Sequence, residues 1–114
     1  MPPVRASAKQ IGASTKRLRP MMDLVRGKGV DDALNTLLLL PSPWARSIAK
    51  VVQAAAANAE NNMMMDRRAL RIIHITADPA TSVQRLEPRA RGRVGHITKR
   101  SSHITVVVDG AEEG

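Results

Sequence analysis

Three copies of the tripeptide His-Ile-Thr contain all the histidines of the chain, and they span His74–Thr76, His96–Thr98 and His103–Thr105. A histidine beside a hydroxyl can carry protons to and from a phosphate, because imidazole titrates near neutral pH. The same side chains can also lie against a phosphate backbone, since lysine and arginine surround the second and third copies. The spacing of the copies decides between an active site and a binding surface.

The predicted strands keep these histidines apart. His96 and His103 are seven residues apart, and an odd separation places side chains on opposite faces of a strand. We predict that His74 faces Val107, four residues or roughly 13 Å from His103 along the sheet, whereas concerted proton transfer needs about 3 Å. The motif is similar to the His-x-Thr of two-histidine phosphoesterases, but its spacing differs. We therefore expect no catalytic residue, no metal site, no cofactor and no enzyme.

Composition sets the class of protein. A chain of 114 residues suggests one domain, residues 1–114, and the absence of cysteine excludes disulfides and thiolate metal sites. Trp44 is the only aromatic residue, so the core must be aliphatic. No N-terminal apolar run of the signal-peptide kind is present, and the run Leu37–Leu40 is far shorter than the roughly 20 residues that span a bilayer. We expect a soluble cytoplasmic protein without a membrane partner.

The net charge of +8 is concentrated in two blocks. The first block, which precedes the first acidic residue, consists of Arg5, Lys9, Lys16, Arg17 and Arg19. The second block lies between Gln84 and Arg100 and consists of Arg85, Arg89, Arg91, Arg93, Lys99 and Arg100. Such clustering favours a polyanion partner over a surface that is merely solvated.

Helical periodicity predicts three helices. The first begins after Ser14 and stops at Gly27 or Gly29, and Pro20 implies either a regular start near Arg19 or an irregular first turn. In the second helix, Asp31 is the predicted N-cap and Pro41 the stop, and its predicted apolar face is Ala33, Leu34, Leu37 and Leu38. The third has Ser42 as N-cap before Pro43 and is predicted to end at Asn61 and Asn62. Its predicted buried side is Ile48, Val51, Val52, Ala55 and Ala59.

Beyond the methionine run Met63–Met65, which we interpret as connector and core packing, the period changes from 3.6 to 2. A short strand is also expected near residues 5–12. Two strands, from Leu70 to about Glu87 and from about Arg93 to Val108, would flank the turn "PRARGR" in a hairpin roughly 50 Å long. Ile73, Ile75, Ile104, Val106 and Val108 are assigned to the sheet. Residues 82–102 are predicted to project as an arm, with a flexible basic loop as the alternative.

The lack of aromatic platforms argues against readers of single-stranded nucleic acid. Two polyanions remain open at this point. A basic β-arm suits an architectural DNA-bending protein that inserts a ribbon into the minor groove. It also suits a protein that holds structured RNA through shape and phosphate contacts.

Three segments carry a family resemblance: "DLVRGKGVDDAL" at Asp23–Leu34, "NAENN" at the end of the third helix, and "RLEPRARGRVGHITKRSSHITVVV" at Arg85–Val108. In the same order along essentially the whole chain, they closely resemble the bacterial large-subunit ribosomal protein L twenty-two family. The resemblance implies an α+β fold of three helices packed on a small antiparallel sheet, with one long protruding β-hairpin. It also implies a structural constituent of the large ribosomal subunit that binds large-subunit rRNA, aids assembly and lines the nascent-chain exit tunnel with its hairpin tip.

The resemblance also assigns residues and partners. The implied tunnel-lining tip is Pro88, Arg89, Ala90, Arg91, Gly92 and Arg93. The implied return strand against rRNA is Lys99, Arg100, Ser101, Ser102 and His103. Lys16 and Arg17 match the basic start of the first helix, although "STKR" departs from the usual Ser-Pro-Arg-Lys. Glu87 is a second departure, because an acidic residue beside the tip is unexpected in RNA, and it is not assigned RNA contact. The implied partners are rRNA, the nascent polypeptide and neighbouring ribosomal proteins, including L four.

Overall fold

The computed structural model describes residues 3–80, 83–88, 94–99 and 101–110 and, within β3 and β4, the backbone. The elements in chain order are β1 (Val4–Ile11), α1 (Thr15–Val25), α2 (Val30–Leu39), α3 (Pro43–Met63), a 3-10 turn (Arg67–Ala69), β2 (Leu70–Pro79), β3 (Val83–Pro88), β4 (Val94–Lys99) and β5 (Ser102–Gly110). An antiparallel sheet has the order β1-β5-β2, and β3 pairs with β4 in a second sheet. Because α3 packs on β1 and β5 and α1 packs on β2, the helices cover one sheet face. The predicted α+β fold class is confirmed.

The molecule is elongated, with extents of 68 × 25 × 20 Å and a radius of gyration of 17.4 Å. A compact domain of this length would have a radius of gyration of about 13 Å. The β3–β4 hairpin pairs from Val83↔Lys99 to Pro88↔Val94, outside the three-stranded sheet.

The two predicted long strands are each interrupted, so the prediction of unbroken strands is wrong. Pro79 pairs with Ser102 in the first sheet, and Val83 pairs with Lys99 in the second. The chain thus takes four steps outward from Pro79 to Val83 but three steps back from Lys99 to Ser102. The register of the β3–β4 pair is therefore offset by one residue from that of the β2–β5 pair.

In α1, the predicted regular start near Arg19 is wrong, because the helix begins at Thr15 and contains Pro20. The Ser14 carbonyl accepts the N–H groups of both Arg17 (3.1 Å) and Leu18 (3.3 Å), while the Ser14 side chain makes no cap bond. The predicted stop at Gly27 is confirmed. Its φ of +83° is a conformation that glycine adopts without steric cost.

Two predictions for α2 are wrong. Gly29 occupies the N-cap position, and Asp31 lies in the first turn, where a carboxylate is favourable for the helix dipole. Leu38 is 70% exposed, and Val30 completes the buried face. Leu38 lies outside that face because it is rotated by about 100° from the buried Leu37.

The third helix follows the prediction closely. The Ser42 side chain accepts the N–H of Trp44 at 3.3 Å, and Pro43 opens the helix. All five residues of its predicted buried side are buried. The helix continues past the predicted end at Asn61 and Asn62, and the left-handed Met64 (φ 54°) terminates it before the buried Met65.

The core is aliphatic, as the composition requires, and joins all three helices to the inner face of the sheet. Ile75, Ile104 and Val106 are fully buried. Ile73 belongs to the sheet but not to this core, because the register shifts between Ile72 and His74 and leaves Ile73 52% exposed. A strict alternation cannot predict such a bulge.

The outer edge of β2 is hydrogen-bonded to the α1 region. Gly27 donates its N–H to the Ile72 carbonyl at 3.0 Å, and Ile72 donates its own to the Lys28 carbonyl at 2.9 Å. Farther along, guanidinium groups donate to two more carbonyls: Arg26 Nη2 to Ile75 O at 2.9 Å and Arg19 Nη2 to Ala77 O at 3.4 Å.

Candidate nucleic-acid interface

The three-stranded sheet has two chemically different ends. We call the end where β2 stops and β5 begins the arm end, and the opposite end, where Leu70 pairs with Gly110, the far end. α1 starts at the arm end, because the Ser102 hydroxyl donates to the Ala13 carbonyl just before the helix. It finishes at the far end, where Gly27 reaches Ile72.

The first basic block lies on exposed surfaces. Arg5 and Lys9 are exposed on β1, while Ala6 and Ala8 pack against the core from the other face of that strand. Lys16 and Arg17 are exposed in the first turn of α1, at the arm end. Within the described residues, these four side chains form no ion pair.

Arg19, the last member of that block, is exposed and also lies against the sheet, with Nη2 3.4 Å from the Ala77 carbonyl. A guanidinium has five N–H donors, so this single contact leaves others free for a phosphate.

The described part of the second block gives backbone positions. Arg85 on β3 pairs with Ile97, Lys99 on β4 pairs with Val83, and Pro88 ends β3 opposite Val94. The remaining predicted tip and return-strand residues lie outside the described residues: Arg89, Ala90, Arg91, Gly92, Arg93 and Arg100.

The base of the arm is described in full from Ser101 onward. Ser101 and His103 are half-buried, and His103 lies opposite Asp78. Ser102 is fully buried, and its Oγ donates to Ala13 O at 2.7 Å. Its hydroxyl faces the core, so the Ser102 side chain is not part of the exposed surface.

Charge is segregated between the two ends. Six acidic residues of the described globular part lie toward the far end: Asp23, Asp31, Asp32, Glu60, Asp66 and Asp109. Of the acidic residues in the described globular part, Asp78 alone lies near the arm end. At the far end, Arg26 contacts Asp23, and Arg67 contacts Asp31 Oδ1 at 3.1 Å and Glu60 Oε1 at 3.8 Å. Lys28, Arg68 and Arg71 are exposed at the same end, where the six carboxylates offset their charge. Positive charge therefore predominates at the arm end.

The sequence reading missed one cation at the arm end. Arg46 is exposed in the first turn of α3. That turn lies beside the β1–α1 connection, since a Cβ added at Gly12 would be 3.7 Å from the Trp44 ring. Proximity in sequence does not reveal this, because more than thirty residues separate Arg46 from Gly12.

The histidines are not brought together as a catalytic pair. His74 lies opposite Val107, as predicted, whereas His103 lies opposite Asp78, four residues farther along β2. His96 belongs to the other sheet, opposite Leu86. In the described part of the chain, no cluster of three or more histidine or acidic side chains could hold a metal ion. No helix in the same part has the length and apolarity needed to cross a membrane.

Comparison with known proteins connects this geometry to one family. Residues 6–109 match the family model described as ribosomal protein L22p/L17e. The large ribosomal subunit protein uL22 of Dehalococcoides mccartyi is 50% identical over 105 residues, which cover 92% of this chain and 96% of that protein. The large ribosomal subunit protein uL22 of Roseiflexus castenholzii is 49% identical over 109 residues, covering 96% of each chain.

Proposed function

Because the chain belongs to the ribosomal protein L22p/L17e family and is a structural constituent of the large ribosomal subunit, we propose that its arm end and hairpin bind large-subunit rRNA and help the subunit assemble. Members of this family are cytoplasmic ribosome components and not enzymes. Their partners are therefore rRNA and other ribosomal proteins.

The observation that carries this proposal is the charge segregation of the globular part. Exposed cations at the arm end lack ion-pair partners in the described chain, whereas at the far end six carboxylates offset the charge of the cations, two of which are held in ion pairs. A phosphate polymer would therefore be attracted to the arm end more strongly than to the far end. Lys16, Arg17 and Arg46 would then contact phosphates beside the base of the arm, with Arg5 and Lys9 on the adjoining sheet face.

Residues 82–102 form the proposed arm. Its boundaries are supported by the interruptions of both long strands, between Pro79 and Val83 and between Lys99 and Ser102. An isolated two-stranded ribbon is barely stable in water, so the arm needs an enclosing partner. Its arginine-rich sequence makes that partner anionic.

We further propose that the hairpin tip, residues 88–93, lines the nascent-chain exit tunnel. The proposed neighbours there are the nascent polypeptide and the extended loop of ribosomal protein L four. The family membership and the 68 Å length of the molecule support this assignment. Glu87 is left out of the RNA-contacting set.

A competition experiment tests rRNA binding. Labelled large-subunit rRNA fragments compete with unlabelled duplex DNA for the purified protein near physiological salt, because at low salt a protein of charge +8 binds any phosphate polymer. A second protein lacks the arm, with residues 83–99 replaced by a two-residue turn that leaves the β2–β5 pairing intact. We expect one rRNA fragment to win by orders of magnitude and the arm deletion to weaken that preference.

The alternative is an architectural protein that bends DNA. Equal competition by DNA at equal phosphate concentration would reject rRNA specificity and favour this reading. If rRNA wins but the arm deletion leaves the preference unchanged, the globular part binds RNA and the role of the arm is refuted.

A further inference from the structure

Ser102 is a polar residue inside an apolar core. Among the described residues, it is the one polar or charged residue that is buried, with an exposed fraction of 0%. Its Oγ donates to the carbonyl of Ala13, 89 residues earlier in the chain, at 2.7 Å. A buried hydroxyl needs a partner, and the bond it forms is directional, in contrast to the apolar contacts around it.

This bond lies where the arm meets the globular part. Ser102 is the first residue of β5, and it pairs with Ile11 of β1 on one side and with Pro79 of β2 on the other. One residue earlier, the Ser101 carbonyl accepts the N–H of Ala80 at 2.9 Å. Ser102 therefore lies at the base of the hairpin, where all three strands of the sheet meet.

The acceptor belongs to the segment that starts α1. Ala13 is 2% exposed and donates its own N–H to the Ile11 carbonyl at 2.8 Å. The next residue, Ser14, supplies the carbonyl that accepts the first hydrogen bonds of α1. Lys16 and Arg17 follow within that first turn. One side-chain bond thus joins the arm base to the basic start of a helix.

We propose that Ser102 is a positioning residue that fixes the direction of the arm relative to the start of α1, so that both basic blocks engage the same RNA in one arrangement. The inference rests on the proposed rRNA binding. Two binding segments held in a fixed relation act at a high effective concentration toward a rigid partner. Loss of the bond between Ser102 and Ala13 would lower this effective concentration without removing a contact to the RNA.

A double-mutant cycle tests this role. Ser102→Ala removes the bond, Lys16→Ala/Arg17→Ala removes the cations of α1, and a third protein combines the changes. Affinity is measured near physiological salt for the rRNA fragment that the unmodified protein prefers. We expect Ser102→Ala to weaken binding roughly three- to tenfold and to reduce the loss caused by Lys16→Ala/Arg17→Ala, because coupled sites are not additive.

Thr36→Val is the matched control. Thr36 Oγ1 donates to the Asp32 carbonyl at 2.9 Å, so this change also deletes one hydroxyl bond, but the bond lies within a single helix. Its effect should add to that of Lys16→Ala/Arg17→Ala. Ser102→Cys, which preserves volume with a weak donor, should give an intermediate coupling and takes the place of Ser102→Ala if that variant does not fold.

The outcomes separate the two proposals. If the unmodified protein does not prefer rRNA, the proposed function fails. If it prefers rRNA but the Ser102 cycle is additive, or if Ser102→Ala binds as tightly as the unmodified protein, the positioning role is overturned while the proposed function stands. A loss of stability alone would lower the folded fraction equally in both backgrounds and leave the cycle additive.

Discussion

Replacing Lys16 and Arg17 together by alanine removes two exposed charges from the arm end. Within the described residues neither side chain forms an ion pair, so the change should leave the fold intact. The matched control, Lys28→Ala/Arg68→Ala, removes two exposed charges from the far end, where Gly29 bridges to Arg71 and the 3-10 turn leads into β2. Both double variants lower the net charge by the same amount.

The size of the effect follows from counterion release. Each phosphate contact contributes about 0.7 to 0.9 to the slope of log K against log salt concentration. Loss of two contacts should therefore flatten the slope by about 1.4 to 1.8 for Lys16→Ala/Arg17→Ala. Over a fourfold rise in salt concentration, the unmodified protein should lose about ten times more affinity than this variant. The far-end control should keep nearly the full slope.

Fluorescence anisotropy of a labelled rRNA fragment, measured at four or more salt concentrations, gives the slopes directly. Circular dichroism confirms that both variants are folded. If the two double variants flatten the slope equally, net charge alone governs binding and the arm end is not a defined interface. If the far-end variant flattens the slope more than Lys16→Ala/Arg17→Ala does, the RNA binds at the far end and not at the arm end.

Three further predictions concern stability and are measured by urea unfolding. Gly27→Ala should destabilise the fold by about 1 kcal/mol, because φ is +83° there, whereas Gly12→Ala, where φ is not positive and an added Cβ would lie 3.7 Å from the Trp44 ring, should change stability by less than about 0.5 kcal/mol; equal effects would contradict the backbone argument. Ser42→Ala should lower the free energy of unfolding by about 1 kcal/mol, because α3 loses its N-terminal cap. An unchanged urea midpoint, followed by circular dichroism, would show that the cap does not stabilise the fold. Ala55→Leu should cost about 1–3 kcal/mol by overpacking beneath α3, whereas the exposed Ala54→Leu should be nearly neutral; tolerance of both would mean that the core has room.

The parts of the fold that sequence predicted well are governed by local chemistry. Ser42 caps α3 and Pro43 occupies its first turn, as the sequence predicted, and the spacing of the apolar residues identified the buried side of the helix. His74 pairs with Val107, as counting back from a turn centred between Ala90 and Arg91 predicted, although the β3–β4 pair itself is offset from this register by one residue.

The parts that sequence missed depend on contacts between distant segments. Ser102 follows a basic run and resembled a phosphate contact, but packing against Ala13 buries it. Ile73 lies in the sheet, as the sequence predicted, but a bulge in β2 leaves it exposed, and this the sequence did not reveal. At the far end, Arg67 forms an ion pair with Asp31 across 36 positions of sequence. No periodic pattern encodes that meeting.

The hydrogen bonds along the outer edge of β2 have a consequence for the newly made protein. An open strand edge recruits strands from other chains and leads to aggregation. Here the edge is occupied by the turn at Gly27 and Lys28 and by the guanidinium groups of Arg26 and Arg19. At the opposite edge, the register shift between Ala8 and Ile11 makes β1 a poor template for pairing. The globular part thus carries its own protection against self-association while the protein is free.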